Sequence, residues 1–291
     1  MGQPKKQQPL LIARQTGSLP APVQLPGVAV TGAGSLLAIG GLDSADSSVS
    51  AIVSVTGASA RNAGSLPSAF HDAAASAIGS TAFVFGGGEG GATRAQILRI
   101  SNGSTSEVGQ LPSGSSDSEA ATIAGTIYIV GGYDGSNGLS TIVGYRPGSA
   151  ARVVAHLPVA LRYASVAAVG GKLMIAGGSS NSVAQREILA FDPNSLQVFK
   201  LGILPYAVTH AAGASLNGIF YVIGGRGDSI SSQRASITAV FPSGRTQPAG
   251  QLPIALSDLG AASFADHITV VGGKGADGSV HSSIIELKVS Q

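Results

Sequence analysis

The sequence predicts an all-β fold in which six similar four-stranded sheets form a closed ring, and three observations support this prediction. A short apolar run ending in a glycine pair occurs six times, with 45 to 48 residues between successive first glycines. A Leu-Pro pair recurs at the same spacing. A fixed period of this length is typical of a repeat architecture. Glycine makes up 42 of the 291 residues, which disfavours a mostly helical chain.

The two signals define six copies of one unit. The first glycines of the pairs are Gly40, Gly86, Gly131, Gly177, Gly224 and Gly272. The prolines of the Leu-Pro pairs are Pro20, Pro67, Pro112, Pro158, Pro205 and Pro253. The proline precedes the first glycine by 19 residues in five copies and by 20 in the first, so both signals belong to the same repeating unit.

Each copy contains four short strands, which we name a, b, c and d in chain order. In the fourth copy they read ASVAAVGG, KLMIAGG, EILAFD and QVFKLGILP. Small residues in strand a suit a crowded central axis, and a continuously apolar strand b suits burial on both faces. Strand c alternates, and strand d is the most polar, as expected of an outer edge. Because each sheet is too small to bury both faces alone, we predict a six-bladed β-propeller of four-stranded antiparallel blades.

The two ends of the chain indicate how the ring closes. The sixth copy stops after strand c, whereas residues 9–19 resemble a strand d and end on the same Leu-Pro pair. We predict that this segment pairs with the strand around Ile284–Lys288 in the last blade, which removes a free sheet edge. The alternative is a flexible leader. The predicted organisation is a disordered tail over residues 1–8 and a single propeller over 9–291, with blades at about 20–66, 67–111, 112–157, 158–204, 205–252 and 253–291 plus 9–19.

The repeat resembles the Kelch repeat over residues 20–291. The resemblance rests on the apolar strand, the Gly-Gly pair, the polar loop, the second strand and the Leu-Pro pair. Phe191-Asp192-Pro193 and Tyr145-Arg146-Pro147 stand where Kelch repeats commonly place an aromatic-Asp-Pro stretch, although the Trp usual near strand d is missing. The chain is similar to bacterial Kelch-type propellers, a galactose oxidase-like propeller fold that hosts binding modules and sugar-acid enzymes. Copper galactose oxidase chemistry requires a Tyr–Cys crosslink, and this chain has no cysteine.

Composition narrows the expected partners. Lys5, Lys6 and Arg14 lie in the first 14 residues, which leaves 14 basic against 15 acidic residues in the rest of the chain. A neutral body gives no electrostatic basis for nucleic-acid binding. No apolar run approaches the length of a membrane span. We expect a monomer that is extracytoplasmic or secreted and has no metal or cofactor.

The candidate ligand-binding residues lie in the d-to-a and b-to-c loops, which share one face of a propeller. They are Arg162, Tyr163, His71, Asp72, Asp117, His210, Asp258, Tyr133, Arg186 and Arg226. Arg162 and Tyr163 break the repeat pattern, so we place them at the centre of the site. The three aspartates occupy one equivalent position, which also fits a purely structural role in satisfying backbone amides.

These residues predict a non-catalytic ligand- or protein-binding module, sensory or scaffolding in role, with its site over the central channel. The arginine fork suits a carboxylate, and the tyrosine suits a sugar ring or a peptide. The expected ligand is therefore a small anionic or sugar-like molecule, or an acidic peptide or protein. The alternative, implied by the resemblance, is a small sugar-acid enzyme of the sialic acid mutarotase type that uses rim carboxylates and histidines as general acids and bases.

Overall fold

The computed structural model describes residues 10–32 and 34–290, so the tail predicted over residues 1–8 lies outside the described residues. The described residues form strands and turns. Among them no helix is long and apolar enough to cross a bilayer. The main strands form six antiparallel four-stranded blades, which confirms the predicted fold class. The division of the chain into a tail and one domain stays a prediction.

The strands of the first three blades, preceded by the strand that closes the ring, are β1 (Leu11–Ser18), β2 (Gly27–Thr31), β3 (Ser35–Ile39), β4 (Ala51–Thr56), β5 (Ser59–Ser65), β6 (Ala74–Ile78), β7 (Thr81–Phe85), β8 (Gly88–Glu89), β9 (Ala92–Thr93), β10 (Gln96–Ser101), β11 (Ser104–Gln110), β12 (Glu119–Ile123), β13 (Thr126–Val130), β14 (Thr141–Tyr145) and β15 (Arg152–His156). The strands of the last three blades are β16 (Ser165–Val169), β17 (Lys172–Ala176), β18 (Ser179–Ser180), β19 (Val183–Asp192), β20 (Gln197–Val208), β21 (Ala212–Leu216), β22 (Ile219–Ile223), β23 (Ser236–Val240), β24 (Thr246–Gln251), β25 (Gly260–Ser263), β26 (His267–Val271) and β27 (Ser283–Val289).

The radial order of the strands follows their residue types. The six innermost strands, β2, β6, β12, β16, β21 and β25, contact one another in a closed circle around the axis. Their small side chains line a central channel of about 260 Å³. In the second strand of each blade the last four of the five residues are buried, as the continuous apolar runs predicted. The fourth strands are largely exposed at the outer edge.

The glycine pairs join each blade to the next. The first glycine of each pair has φ between 60° and 66°. A Cβ on any of these six would lie under 3.0 Å from a carbonyl oxygen of the following blade. The second glycine donates its amide to that same oxygen, at 2.8 to 3.0 Å. Only a residue without a side chain allows this close approach of two backbones, so the pair marks a contact between blades.

The Leu-Pro pairs mark a second contact between blades. In each pair the leucine is buried and the proline is exposed. The repeated signal therefore places one leucine side chain between neighbouring blades. These leucines belong to hydrophobic core clusters that contain residues of two adjacent blades.

Strand β1 closes the ring, as predicted. It lies antiparallel to β27, with Leu11 opposite Val289 and Ser18 opposite Ser283. The following loop continues the closure, because Gly273 in the last blade donates its amide to the Val23 carbonyl at 2.9 Å. The last blade is thus assembled from both ends of the chain, and its outer edge is paired rather than free.

Candidate functional site

Six residues, one from each d-to-a loop, form a ring around the propeller axis, which we call the axial ring. Each follows the proline of a Leu-Pro pair by five residues. Each has a φ between 53° and 59°. The ring members are Leu25, Asp72, Asp117, Tyr163, His210 and Asp258. The amide of each donates to the carbonyl of the preceding member at 2.7 to 3.3 Å, and Leu25 donates to Asp258, which closes the circle.

The left-handed backbone of the axial ring gives a structural explanation for the presence of aspartate at three of its six positions. Aspartate tolerates this conformation better than most residues. Through their carboxylates, Asp72, Asp117 and Asp258 accept no hydrogen bond from a backbone amide within residues 10–32 and 34–290. Their side chains instead line a cavity of about 40 Å³ at the axis, which we call the mouth. The carboxylates of the three aspartates therefore face the mouth rather than satisfying backbone amides.

Arg162 lies beside the mouth and is paired within the protein. Its guanidinium contacts the Asp117 carboxylate at 2.5 Å. The same group lies over the Tyr133 ring, 4.3 Å from its centre, and 3.5 Å from the Tyr163 hydroxyl. The Arg162 side chain is 36% exposed, so one edge of the guanidinium still faces solvent. Its charge is balanced by Asp117, which the sequence did not reveal.

His210 is held as a neutral imidazole. Burial, followed by the positive charges of Arg226 and Arg162, lowers the pKa of His210 to about 2. The Arg226 guanidinium lies 3.2 Å from His210 Nε2 and can only donate, so Nε2 accepts. The proton then sits on Nδ1, which faces Thr209 Oγ1 at 3.0 Å. The ring stacks on Tyr163, with centres 3.7 Å apart. Burial also raises the pKa of Tyr163, so both rings are uncharged.

Two aspartates of the mouth, Asp72 and Asp258, hold their protons more tightly than usual. Burial, with the nearby charges of Asp117 and Asp258, raises the pKa of Asp72 well above its ordinary value. Burial also raises the pKa of Asp258, against the hydrogen bond from the Ser257 hydroxyl. Perturbed titratable groups that converge on one cavity are typical of functional sites.

Glu119 is a fourth carboxylate at the mouth that the sequence analysis missed. It lines both the mouth and the channel below it. The residue is exposed to the open channel, yet it lies deep between the inner strands, and the resulting desolvation raises the pKa of Glu119 to about 7. The signal was present in the sequence: seven residues after the proline of each Leu-Pro pair the other copies carry only Gly, Ala or Ser.

A change of pH tests the confinement of Glu119. Its pKa rises from 4.5 to about 7 on folding, so the folded state binds the proton more tightly. Its contribution to the free energy of unfolding is therefore full below pH 4.5 and is lost as the pH rises to about 7. We expect Glu119→Gln to be more stable than the unmodified chain at pH 8 by about 1 kcal/mol, because channel water screens the charge. At pH 4 the two should match.

Urea unfolding at both pH values measures this difference. Glu107→Gln on the outer strand β11 is the matched control and should show the same pH dependence as the unmodified chain. Equal stability of Glu119→Gln and the unmodified chain at pH 8 would contradict a confined Glu119.

A larger pocket of about 280 Å³ lies on the same face between the fourth and fifth blades. Its lining residues are Arg162, Tyr163, Ser179, Ser182, Thr209, His210, Arg226 and Asp228. The Asp228 carboxylate accepts a hydrogen bond from the Ala184 amide at 2.6 Å, so it is already engaged. The Arg226 guanidinium donates to Gly227 and His210 and forms no ion pair within residues 10–32 and 34–290. With the hydroxyls of Ser179, Ser182 and Thr209, it makes this inter-blade pocket rich in hydrogen-bond donors. Tyr163 and His210 line both the pocket and the mouth.

The other predicted residues lie at different distances from these cavities. His71 accepts or donates through Nδ1 to Ser48 Oγ at 2.8 Å, and its Nε2 is 3.9 Å from Asp72. Tyr133 packs its ring against the Arg162 guanidinium. Arg186 lines neither cavity, because its guanidinium donates to the carbonyls of Leu204 and Pro205 in its own blade. The ligand-binding role of all ten residues stays a prediction.

The comparisons with known proteins agree with the repeat. The family model of the Kelch motif matches residues 115–143, which run from the axial ring of the third blade into β14. The solved structure of YjhT superposes with a TM-score of 0.78 at 14% identity, covering 93% of this chain and 98% of that chain. No curated protein matches the chain. The resemblance drawn from the glycine pairs is confirmed by motif and fold, and a fold shared with 817 chains of known structure does not choose a function.

Proposed function

We propose that this Kelch-repeat β-propeller is a non-catalytic binding module whose site lies on the face that carries the axial ring. The observation that carries the proposal is the inter-blade pocket. A rigid scaffold presents varied polar side chains there on loops, which is the usual arrangement of a binding site.

The pocket favours a small anionic or sugar-like ligand. Arg226 lines it and forms no ion pair within the described residues, and Arg162, although paired with Asp117, keeps part of its side chain exposed. The Asp228 carboxylate in the wall is engaged by a backbone amide. Charge-assisted hydrogen bonds from arginine to a carboxylate are the strong kind, and the hydroxyls of Ser179, Ser182 and Thr209 suit a polyhydroxylated ring. The stacked Tyr163 and His210 supply a flat apolar wall.

We expect Arg226→Gln to weaken the binding of a sugar carboxylate about tenfold, because it removes one charge-assisted hydrogen bond. N-acetylneuraminate and D-glucuronate serve as probes, with methyl glucoside as the neutral comparison, and isothermal titration calorimetry measures the affinity. Arg146→Gln is the matched control, since this arginine donates to Thr126 and Ala124 on the opposite face. Equal affinities of the two variants, or equal binding of the neutral sugar, would refute the anionic site.

The sugar-acid enzyme of the sialic acid mutarotase type is a second candidate, and Glu119 favours it. A carboxyl group with a pKa of about 7 beside carboxyls of different environment fits general acid–base chemistry at neutral pH. The anomerisation of free sialic acid, followed by NMR, separates the two functions. A binding module leaves the rate at its uncatalysed value, whereas an enzyme of this type accelerates it and loses the acceleration in Glu119→Gln.

The remaining sequence-based expectations bear on context rather than on the site. The bacterial origin, the extracytoplasmic or secreted location and the monomeric state stay predictions. An acidic peptide or protein also stays a predicted partner, and it would approach the same face.

A further inference from the structure

The mouth gathers four acidic side chains but, within the described residues, only one carboxylate–arginine ion pair. Four acidic side chains line it: Asp72, Asp117, Glu119 and Asp258. The Asp117 carboxylate is paired with Arg162. The nearest basic groups to Asp72 and Asp258 are imidazoles, His71 at 3.9 Å and His210 at 3.8 Å. Burial lowers the pKa of both histidines, so neither supplies a charge at neutral pH.

Asp72 is the most enclosed group of the set that has no hydrogen-bond partner within the described residues. Its side chain is 7% exposed and lines the mouth. Within residues 10–32 and 34–290 its carboxylate accepts no hydrogen bond, whereas Asp117 is bonded to Arg162 and Asp258 to the Ser257 hydroxyl. Burial without a donor disfavours the ionised form of Asp72, so a cationic donor placed in the mouth would be favoured because it stabilises that form.

The geometry of the mouth selects the kind of cation. Within the described part of the chain no three His, Asp or Glu side chains are arranged to hold a metal ion. A cavity of about 40 Å³ has room for a compact group of a few heavy atoms. A primary ammonium is compact and carries three N–H donors that reach separate acceptors. The apolar side chains of Leu25, Pro26 and Leu259 line the same cavity and suit the adjoining methylene groups.

We propose that the mouth binds a primary alkylammonium group, with Asp72 as its principal acceptor and Asp258 and Glu119 as further acceptors. The group comes either from a free amine or from a lysine side chain of a peptide. This site goes beyond the proposed anion site and does not depend on it, because Asp72 and Glu119 do not line the inter-blade pocket.

Two amines test the proposal on the full chain at pH 8 and constant ionic strength. n-Butylammonium chloride represents a free amine, and Nα-acetyl-lysine methylamide represents a lysine side chain in a peptide. We expect at least one of them to raise the melting temperature, since a ligand that binds only the folded state stabilises it. Tetramethylammonium has the same charge but no N–H donor and should have no effect. Tighter binding of one amine than the other identifies the source.

Asp72→Asn is the decisive variant. Asparagine is isosteric and tolerates the same left-handed backbone, so the variant should fold and should be at least as stable as the unmodified chain without amine. We expect it to bind the amine about tenfold more weakly, as the loss of a charge-assisted hydrogen bond implies. Asp266→Asn, in an exposed turn on the opposite face, is the matched control and should bind normally.

Glu119→Gln provides a second variant that should also bind the amine more weakly, and it tests the proposal even if Asp72→Asn does not fold. The proposal is overturned if neither amine raises the melting temperature, if tetramethylammonium raises it equally, or if Asp72→Asn and Asp266→Asn bind alike. Stabilisation by Ca²⁺ without stabilisation by either amine would likewise overturn it, because the mouth would then be a metal site.

Discussion

Deleting residues 1–19 is expected to lower the melting temperature by about 10 °C. The deletion removes β1 and with it the outer strand of the last blade. It also removes Leu11 and Leu19, which are both buried. Burying two leucines contributes about 3–6 kcal/mol to the free energy of unfolding. For a chain of this size each kcal/mol changes the melting temperature by about 2 °C.

Thermal unfolding followed by circular dichroism measures the effect. Deleting residues 1–8 is the matched control, because it leaves β1 in place and should leave the melting temperature nearly unchanged. If both truncated proteins melt together, ring closure does not depend on β1. A synthetic peptide of residues 9–19 should restore part of the loss, since the exposed edge of β27 accepts a strand by main-chain hydrogen bonds.

Gly131→Ala is expected to lower the melting temperature by about 6–10 °C. Two costs add at this position. The residue has a φ of 62°, where an L side chain costs about 1–2 kcal/mol. Its Cβ would also lie under 3.0 Å from the Leu161 carbonyl oxygen, which belongs to the next blade. Moving that carbonyl weakens the hydrogen bond that Gly132 donates to it, which adds about 2–3 kcal/mol.

Gly170→Ala separates the two costs. Gly170 has a similar φ of 57°, but a Cβ there meets nothing within 4 Å. This variant should lose only about 2–4 °C, the part due to backbone strain. A loss in Gly131→Ala no larger than that in Gly170→Ala would show that the glycine pair is not needed for the approach of neighbouring blades.

The fold was predictable because its determinants repeat. The glycine pairs and the Leu-Pro pairs each mark a contact between blades, and six equal contacts close a ring. The closing strand was predictable for the same reason, since residues 9–19 end on the Leu-Pro signal. Repetition makes a weak local pattern reliable, because each copy tests the interpretation of the others.

The candidate site was only partly predictable, because its properties depend on partners distant in sequence. The sequence identified both Arg162 and Asp117 as candidates but not the ion pair that joins them across 45 residues of sequence. Arg186 has the right residue type and the right loop, yet it turns toward its own blade. Glu119 was not predicted because it is the first residue of an inner strand, whereas the candidate residues were chosen from the loops. Its departure from the small residues of the other copies was the available signal.

The axial ring has a consequence for how such a protein can acquire new specificities. The hydrogen bonds that close the ring join main-chain atoms, so closure does not require a particular set of side chains. Six positions with fixed spacing can therefore be exchanged as a combinatorial set, independently of the strands beneath them. The one restriction is stereochemical: β-branched residues are strongly disfavoured at a left-handed backbone, whereas Asp, Asn, His and Gly are accepted. Tyr163 and Leu25 are then the members whose retention is least favoured by the backbone, and a library for altered recognition would begin by replacing them.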